Sequence, residues 1–199
     1  MTKVESISID DGVLVHQCTQ GDSAAMERLI LRYQDRIYNV ILKICANIDD
    51  AAELTQDTFV KVIENIEKFQ GKSSFYTWAF RIAVNLTLNY CKRNAKLVFR
   101  SLDAEQDPDS RAPKMLKEFL TDDSSPDPAV VAQNSELCRL VQDALLKLDD
   151  EQRIVIVLRD IEGMDYAQIA EVLDIELGTV KSRLSRARSN LKDIMEAVL

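Results

Sequence analysis

One long stretch of the chain combines basic and aromatic side chains and contains no carboxylate. No aspartate or glutamate occurs between Lys68 and Leu102, although the whole chain has a formal net charge of -8. The basic residues of the stretch are Lys68, Lys72, Arg81, Lys92, Arg93, Lys96 and Arg100, and its aromatic residues include Phe69, Phe75, Tyr76, Trp78, Phe80 and Tyr90. Carboxylates weaken binding to a phosphate backbone, whereas unpaired bases stack on aromatic rings. The pattern therefore indicates a site for single-stranded or opened nucleic acid.

A second stretch without carboxylates lies near the C-terminus, from Leu177 to Lys192. Its basic residues are Lys181, Arg183, Arg186, Arg188 and Lys192. Because the distribution of charge decides nucleic-acid binding more than its sum does, we expect two basic surfaces on an otherwise acidic protein.

The composition argues against an enzyme, a cofactor or a metal site. The chain has one histidine, His16, and four separated cysteines, Cys18, Cys45, Cys91 and Cys138. No CxxC pair, glycine-rich phosphate loop or nucleophile–base pair occurs in the sequence. The apolar runs are too short to span a membrane, and the N-terminus lacks the layout of a signal peptide. We therefore expect a cytoplasmic protein with reduced thiols and no membrane insertion.

Helical periodicity of apolar residues predicts an all-α fold, and glycine and proline are scarce. One helix should cover residues 26–44, with Asp22 as its cap. The segment from Asp50 to Glu53 resembles a capping box for the next helix. That helix is expected to bury Phe59, Val62, Ile63 and Ile66 and to end at residues 69–71. Ser73 or Ser74 should cap a third helix that runs to about Arg93.

The helical pattern breaks at residues 101–128, which contain all four prolines and are rich in acidic residues. This composition is typical of a flexible linker. A new apolar stripe begins at Leu137 and continues through Val141, Ala144, Leu145 and Leu148. The predicted architecture is therefore two small helical domains, residues 1–100 and 129–199, joined by the acidic linker.

The third helix should have two distinct faces. One is an apolar stripe formed by Phe75, Ala79, Ile82, Ala83, Leu86 and Tyr90. The other carries an aromatic ring, two cations and two amides, which suit stacking, phosphate contacts and base-edge hydrogen bonds: Trp78, Arg81, Asn85, Asn89 and Lys92. The alternative is that Trp78 packs in the core and that the asparagines are merely solvated.

Residues 165–192 have the spacing of a helix-turn-helix. Asp165 to Gln168 resembles a capping box, residues 174–178 are turn-like, and Thr179 could cap the last helix. In that helix Val180, Leu184, Ala187 and Leu191 should pack inward. The outward residues, small hydroxyls between cations that suit a major groove, are Lys181, Ser182, Ser185, Arg186 and Ser189. A helical hairpin with a solvated basic face is the alternative.

Two segments together resemble one protein family. The first is DDAAELTQDTFVKVIENIEKFQGKSSFYTWAFRIAVN (49–85), and the second is LDDEQRIVIVLRDIEGMDYAQIAEVLDIELGTVKSRLSRARSNL (148–191). They are similar to regions 2 and 4 of the extracytoplasmic-function group of bacterial sigma-70-type sigma factors. The likeness covers both predicted domains in their order.

The resemblance implies a promoter-recognition subunit that binds core RNA polymerase and promoter DNA and is held by an anti-sigma factor. It implies docking on the clamp helices of the largest subunit through Glu53, Leu54, Gln56 and Asp57, and a contact with the polymerase flap. The −10 element would be melted and read by Lys72, Trp78, Arg81, Asn85, Asn89, Lys92 and Arg93. The −35 element would be read by Lys181, Ser182, Arg183, Ser185, Arg186 and Arg188. Lys72 and Ser185 depart from residues found in many relatives, which affects the promoter sequence that would be read.

Two other functions fit parts of the sequence. A helix-turn-helix regulator that acts without polymerase would explain residues 165–192 but not the first carboxylate-free stretch. An inhibitor-type interaction module would explain the acidic helix at 49–67 but neither basic surface. Binding of duplex promoter DNA by the chain alone would favour the regulator.

Overall fold

The computed structural model of the protein describes residues 10–101 and 139–197, with side chains described only as far as residue 94 in the first range. All regular elements in these ranges are helical, which confirms the all-α prediction. The elements are α1 (Asp11–Thr19), α2 (Ser23–Cys45), α3 (Ile48–Asn65) with a 3-10 turn (Ile66–Lys68), α4 (Phe75–Ser101), α5 (described over 139–146), α6 (Asp150–Ile156) with a π-helical turn (Val157–Ile161), α7 (Tyr166–Leu173) and α8 (Leu177–Glu196). Residues 102–128 of the predicted linker, and Leu137, lie outside the described residues.

Capping side chains fix where the N-terminal helices begin. The carboxylate of Asp22 accepts hydrogen bonds from the backbone amides of Ala24 and Ala25, as the sequence predicts. Helix α3 begins at Ile48, because the side chain of Asn47 accepts hydrogen bonds from the backbone amides of Asp49 and Asp50. The predicted start at Asp50 is therefore wrong. Thr77 donates its backbone N–H to the hydroxyl oxygen of Ser74 at 3.0 Å, so the predicted cap of α4 is present.

The core of the N-terminal domain differs from the predicted stripes at particular positions. Phe59, Val62 and Ile66 are buried as expected, but Ile63 is 49% exposed, so its assignment to the core is wrong. Helix α4 buries Phe80 and Val84 in addition to Phe75, Ala79 and Ala83, whereas Ile82, Leu86 and Tyr90 are only partly buried. The cause is that α4 packs on α2 and α3 and also on α7, so more of its circumference is covered.

The C-terminal domain packs α6 and α7 against α8. Asp165 and Gln168 form the predicted capping box at the start of α7. Asp174 ends α7 in the left-handed conformation, with a φ of 53°. Helix α8 then begins at Leu177, with no side-chain hydrogen bond at its cap, so the prediction that Thr179 caps it is wrong. The amide of Thr179 instead donates to the carbonyl of Glu176 at 2.8 Å, which places this residue inside the first turn.

The two domains pack against each other, and their buried apolar residues form one continuous cluster. The contacts join α4 to α7, and α2 to α6 and the π-helical turn. None of the helices in the described ranges is long and apolar enough to cross a membrane. No cluster of potential metal ligands occurs among the residues that the structure describes.

Candidate nucleic-acid interface

An open cavity of about 370 Å³ lies between α3 and α4. Three residues that the sequence predicts for DNA binding line it together: Trp78, Asn85 and Asn89. They meet because positions separated by seven and eleven residues fall on one side of an α-helix. The other wall comes from residues around the end of α3, namely Lys61, Asn65 and Lys68, with Ile82 and Leu86 contributing apolar surface.

Aromatic contacts hold Trp78 at the edge of this cavity. Its ring centroid lies 5.1 Å from that of Phe69 and 5.9 Å from that of Phe75, both in tilted orientations. Trp78 is only partly buried, so one part of the indole packs on the domain and another part faces the cavity. The side chain therefore packs at the edge of the core and leaves part of its ring open to the cavity.

The polar rim of the cavity is partly organised by local hydrogen bonds. Lys68 Nζ donates to Asn65 Oδ1 at 3.0 Å, and Asn65 Nδ2 donates to the carbonyl oxygen of Lys61. Lys61 also pairs with Glu64. Asn85 and Asn89 are exposed, and no hydrogen bond of their amide groups to another described residue is present. Their donors and acceptors are thus available for base edges.

Arg81 does not line this cavity. Its Nη2 atom lies 3.0 Å from Oε1 of Glu171 in α7, and its Nε atom is buried without a hydrogen-bond partner. The sequence predicts Arg81 on one face with Trp78 and the asparagines, but the structure directs its guanidinium towards the C-terminal domain. Lys72 is exposed in the loop before α4, and Lys92 and Arg93 are exposed two turns or more beyond Asn85. These three residues are not among the residues that line the cavity.

The second predicted surface is the outward face of α8. Val180, Leu184 and Ala187 are buried, and Lys181, Ser182, Ser185 and Arg186 are exposed. Ser182 donates its hydroxyl to the carbonyl of Thr179 at 3.1 Å, and Arg186 Nε lies 3.4 Å from the carbonyl of Ser182. Among the described residues, Lys181 and Arg186 have no carboxylate within ion-pair distance. Two free cations therefore flank two small hydroxyls on one helix face.

The remaining two arginines of this helix are held by carboxylates of its own domain. Arg183 Nη2 lies 2.8 Å from Glu151 Oε2. Arg188 makes two hydrogen bonds to Asp160, one of them from Nε at 3.1 Å, and this contact raises the pKa of the guanidinium. Both arginines lie at the sides of the face, and each already has an anionic partner.

The residues predicted for polymerase docking lie on α3 but do not share one environment. Glu53, Gln56 and Asp57 are exposed. Leu54 is 5% exposed and belongs to the core, so placing it on the surface is wrong. Gln56 lines a groove of about 570 Å³ between α2 and α3, together with Val60 and Ile63, which are 45% and 49% exposed. The sequence signal for this groove is the i, i+4, i+7 spacing of Gln56, Val60 and Ile63, which places the three residues on a second face of α3.

Arg36 and Glu162 meet Tyr76 at the contact between the domains, and the sequence analysis singles out only Tyr76, as one of the aromatic residues of α4. Tyr76 donates its hydroxyl to Glu162 Oε1 at 2.9 Å, and Arg36 Nη2 lies 2.5 Å from the same oxygen. Burial, and then the hydrogen bond to Glu162, raise the pKa of Tyr76. No local pattern could reveal this cluster, because 86 residues separate Tyr76 from Glu162.

Two family models match the chain in the order of its domains. Sigma-70 region 2 matches residues 29–97, and Sigma-70, region 4 matches residues 138–191. The first range contains α3, the cavity and most of α4. The second contains the helix-turn-helix and the outward face of α8.

Curated relatives match nearly the whole chain. The ECF RNA polymerase sigma-E factor of Haemophilus influenzae is 31% identical over 191 residues, which cover 96% of this chain and 98% of the relative. The ECF RNA polymerase sigma factor SigW of Bacillus subtilis is 33% identical over 178 residues, covering 89% and 92% of the two chains.

Two solved structures share the fold. CnrH, solved in complex with the cytosolic domain of CnrY, has a TM-score of 0.64 at 24% identity and covers 94% of this chain and 97% of its own. The sigma factor RpoE from Bartonella quintana, solved with the anti-sigma factor NepR, has a TM-score of 0.64 at 23% identity and covers 85% and 96%. Because these curated relatives are more than 30% identical over most of its length, the chain belongs to the extracytoplasmic-function family of RNA polymerase sigma factors. Members of this family are DNA-binding proteins that direct transcription initiation.

Proposed function

We propose that this sigma factor brings core RNA polymerase to promoters by using three separate surfaces. The cavity between α3 and α4 receives unpaired bases of the −10 element, the outward face of α8 reads the −35 element, and the groove between α2 and α3 docks on the polymerase. The observation that carries the proposal is the meeting of Trp78, Asn85 and Asn89 in one open cavity on a helix without carboxylates. This combination of a stacking ring and free amides suits bases that have left the duplex.

At the −10 element, Trp78 supplies a face for stacking, and Asn85 and Asn89 supply donors and acceptors for base edges. Lys61 and Lys68 on the opposite wall are placed to neutralise phosphates of the strand. The exposed residues Lys72, Lys92 and Arg93 extend the positive surface along the strand. Arg81 joins them when it is released from Glu171.

At the −35 element, α8 enters the major groove with Ser182 and Ser185 towards its floor. The small side chains allow close approach, and Lys181 and Arg186 reach bases or phosphates on either side. Arg183 and Arg188 lie at the sides of this face, where they contact the backbone at the margins of the groove when they are released from Glu151 and Asp160.

Core polymerase docks on α3 through Glu53, Gln56 and Asp57. The neighbouring groove exposes Val60 and Ile63, and an exposed apolar surface with a polar rim is typical of a protein-binding site. By the family resemblance, the partners are the clamp helices of the largest subunit and, for the C-terminal domain, the flap. Because the polymerase works in the cytoplasm, we place this protein there too.

An anti-sigma factor is a further partner under this proposal. The sigma factor RpoE, which shares this fold, was solved with the anti-sigma factor NepR, and CnrH was solved with the cytosolic domain of CnrY. The partner would compete with polymerase for the exposed apolar groove.

A run-off transcription assay tests the proposal. Purified chain is mixed with core polymerase and with a genomic promoter library, and initiated transcripts are sequenced. We expect transcripts that depend on the chain and share upstream elements with a common spacing. Specific binding of the chain alone to duplex DNA, without any chain-dependent transcript, would instead support the regulator that acts without polymerase.

A further inference from the structure

Two carboxylates from outside α8 pair with arginines of α8, a helix whose stretch from residue 177 to 192 contains no carboxylate of its own. Oε2 of Glu151, which belongs to α6, lies 2.8 Å from Nη2 of Arg183. Asp160, in the π-helical turn that follows α6, accepts hydrogen bonds from Nε and Nη2 of Arg188. The fold therefore neutralises part of the basic surface that the sequence alone predicts.

The two paired arginines border the outward face of α8, one on each side. Successive residues of an α-helix are rotated by about 100° around its axis. This rotation places Arg188 next to Lys181 at one margin of the face, and it places Arg183 next to Arg186 at the other. Among the described residues, Lys181 and Arg186 have no carboxylate within ion-pair distance. The face consequently has free cations for base contacts and neutralised cations at both margins.

A DNA phosphate has to replace a carboxylate before either marginal arginine can contact the backbone. Arg188 binds Asp160 through Nε and Nη2, the parallel arrangement in which a guanidinium also binds two phosphate oxygens. Replacing one anion by another changes the free energy little, whereas an unpaired arginine would gain the whole phosphate contact. The carboxylates therefore weaken the attraction of both margins for any duplex.

We propose that Glu151 and Asp160 act as phosphate mimics that make α8 selective for its own DNA element over arbitrary duplex DNA, an inference that rests on the proposed function of α8. On an arbitrary sequence no base contacts seat the helix, and both arginines stay with their carboxylates. On a −35 element the base contacts hold α8 in the major groove. Phosphates then come within reach of the arginines and displace the carboxylates, so the marginal contacts form only in the correct complex.

The test uses the full chain and the variant Glu151→Gln/Asp160→Asn, which keeps side-chain size and removes both negative charges. Fluorescence anisotropy measures binding to a short fluorescein-labelled duplex of random sequence, in sodium chloride from about 50 to 200 mM. We expect the variant to bind about tenfold more tightly at the lowest salt concentration. Because two more phosphate contacts form, the slope of log affinity against log salt should be steeper by about two, and the gain should be nearly lost at the highest concentration.

A matched control separates the phosphate mimics from a change in net charge. Glu27→Gln/Asp143→Asn makes the same chemical changes at two exposed carboxylates, neither of which pairs with an arginine of α8. This control should keep the salt slope of the parent and change affinity by less than about twofold, the general effect of two surface charges. An equal gain in the control, or parental affinity and slope in Glu151→Gln/Asp160→Asn, would overturn the proposal.

A double-mutant cycle tests whether one carboxylate acts through its arginine. Asp160→Asn alone should raise affinity for the random duplex about threefold, the effect of one released phosphate contact. In the background of Arg188→Ala the same substitution should change affinity little, because no guanidinium is left to release. An equal gain in both backgrounds would mean that Asp160 only repels DNA, and it would overturn the proposal. Melting temperatures of all variants confirm that each chain is folded.

Lys181→Ala/Arg186→Ala distinguishes failure of this proposal from failure of the proposed function. If loss of these two cations leaves binding to the random duplex unchanged, α8 is not the duplex-binding face and its proposed function is wrong. If binding weakens there but Glu151→Gln/Asp160→Asn gives no gain, only the phosphate mimics are excluded. In holoenzyme, random duplex added as competitor should inhibit run-off transcription more strongly with Glu151→Gln/Asp160→Asn than with the parent. Equal inhibition would overturn the role of the two carboxylates in selectivity.

Discussion

The guanidinium of Arg153 donates a hydrogen bond from Nη1 to the carbonyl oxygen of Ile44 at 2.8 Å, across 109 residues of the chain. The same side chain donates to the carbonyls of Leu145, Leu146 and Leu148 at the end of α5. Arg153 is 9% exposed, so one buried cation completes the hydrogen bonds of two helix C-termini in different domains.

Replacement of Arg153 should therefore destabilise the chain strongly. Arg153→Met leaves several buried carbonyls without donors, and we expect a loss of about 3–5 kcal/mol in the free energy of unfolding. Arg153→Lys should recover little of it, because an ammonium group lacks the planar fork that reaches several carbonyls. Chemical denaturation followed by circular dichroism measures both variants. A loss below about 1 kcal/mol, the cost of an exposed contact, would contradict this account.

Trp78 should contribute to strand opening more than to recruitment. Trp78→Ala removes a stacking surface worth roughly 1–3 kcal/mol for an unpaired base, and Trp78→Phe should retain part of it. Permanganate reactivity of promoter thymines measures opening, and gel shift of the closed complex measures recruitment. Because Trp78 also packs on Phe69 and Phe75, the melting temperature of each variant is the control. Equal losses of recruitment and opening would count against a stacking role.

The docking surface can be separated from the core on one helix. Gln56→Ala/Asp57→Lys alters exposed residues and should weaken binding to core polymerase without a change in helical content. Leu54→Ala creates a cavity under the same surface and should cost about 2–5 kcal/mol of stability. Co-purification with core polymerase and thermal unfolding distinguish the two effects. Undiminished co-purification of the double variant would place the contact elsewhere.

Alkaline pH should destabilise the fold through the partly buried thiol of Cys91. Burial, and then the charge of Asp150, raise the pKa of Cys91 from 9.0 to about 12. Since the folded pKa exceeds the unfolded one, this stabilising contribution is complete below pH 9.0 and decreases as the pH rises towards 12. The melting temperature should fall over that interval, and less steeply in Cys91→Ala. Parallel curves for the two proteins would show that Cys91 does not contribute.

Local periodicity predicts some parts of this molecule and not others, and α4 illustrates the difference. The grouping of Trp78, Asn85 and Asn89 depends only on the geometry of one helix, so the sequence predicts it. Burial of Phe80 and Val84 requires the packing of α4 against elements distant in sequence, and the engagement of Arg81 requires Glu171, ninety positions further on. The spacing of side chains determines which residues share a face, whereas the fold determines what covers that face.

The helix starts show the same limit at a smaller scale. Asp165 and Gln168 satisfy each other within four residues, and this box is predicted correctly. At α3, both Asn47 and Asp50 are suitable caps, and the turn after Ala46, whose φ is 59°, selects Asn47. Where two residues are similarly good N-caps, the conformation of the preceding residues determines which of them begins the helix.

Sequence preference at the −35 element should depend on Arg186 more than on Arg188. Arg186 is exposed and has no carboxylate partner among the described residues, so its guanidinium is free to bind a base edge. Arg186→Ala should cost about 1–3 kcal/mol and relax preference at one base pair. Arg188 lies at the side of α8 and is proposed to contact the DNA backbone, so Arg188→Ala should lower affinity and its salt dependence without altering preference. Selection of a −35 promoter library with each variant in holoenzyme measures both quantities. Arg186 and Arg188 lie on different sides of the helix. If Arg188→Ala changed the sequence preference and Arg186→Ala left it unchanged, α8 would have to enter the groove with a different face.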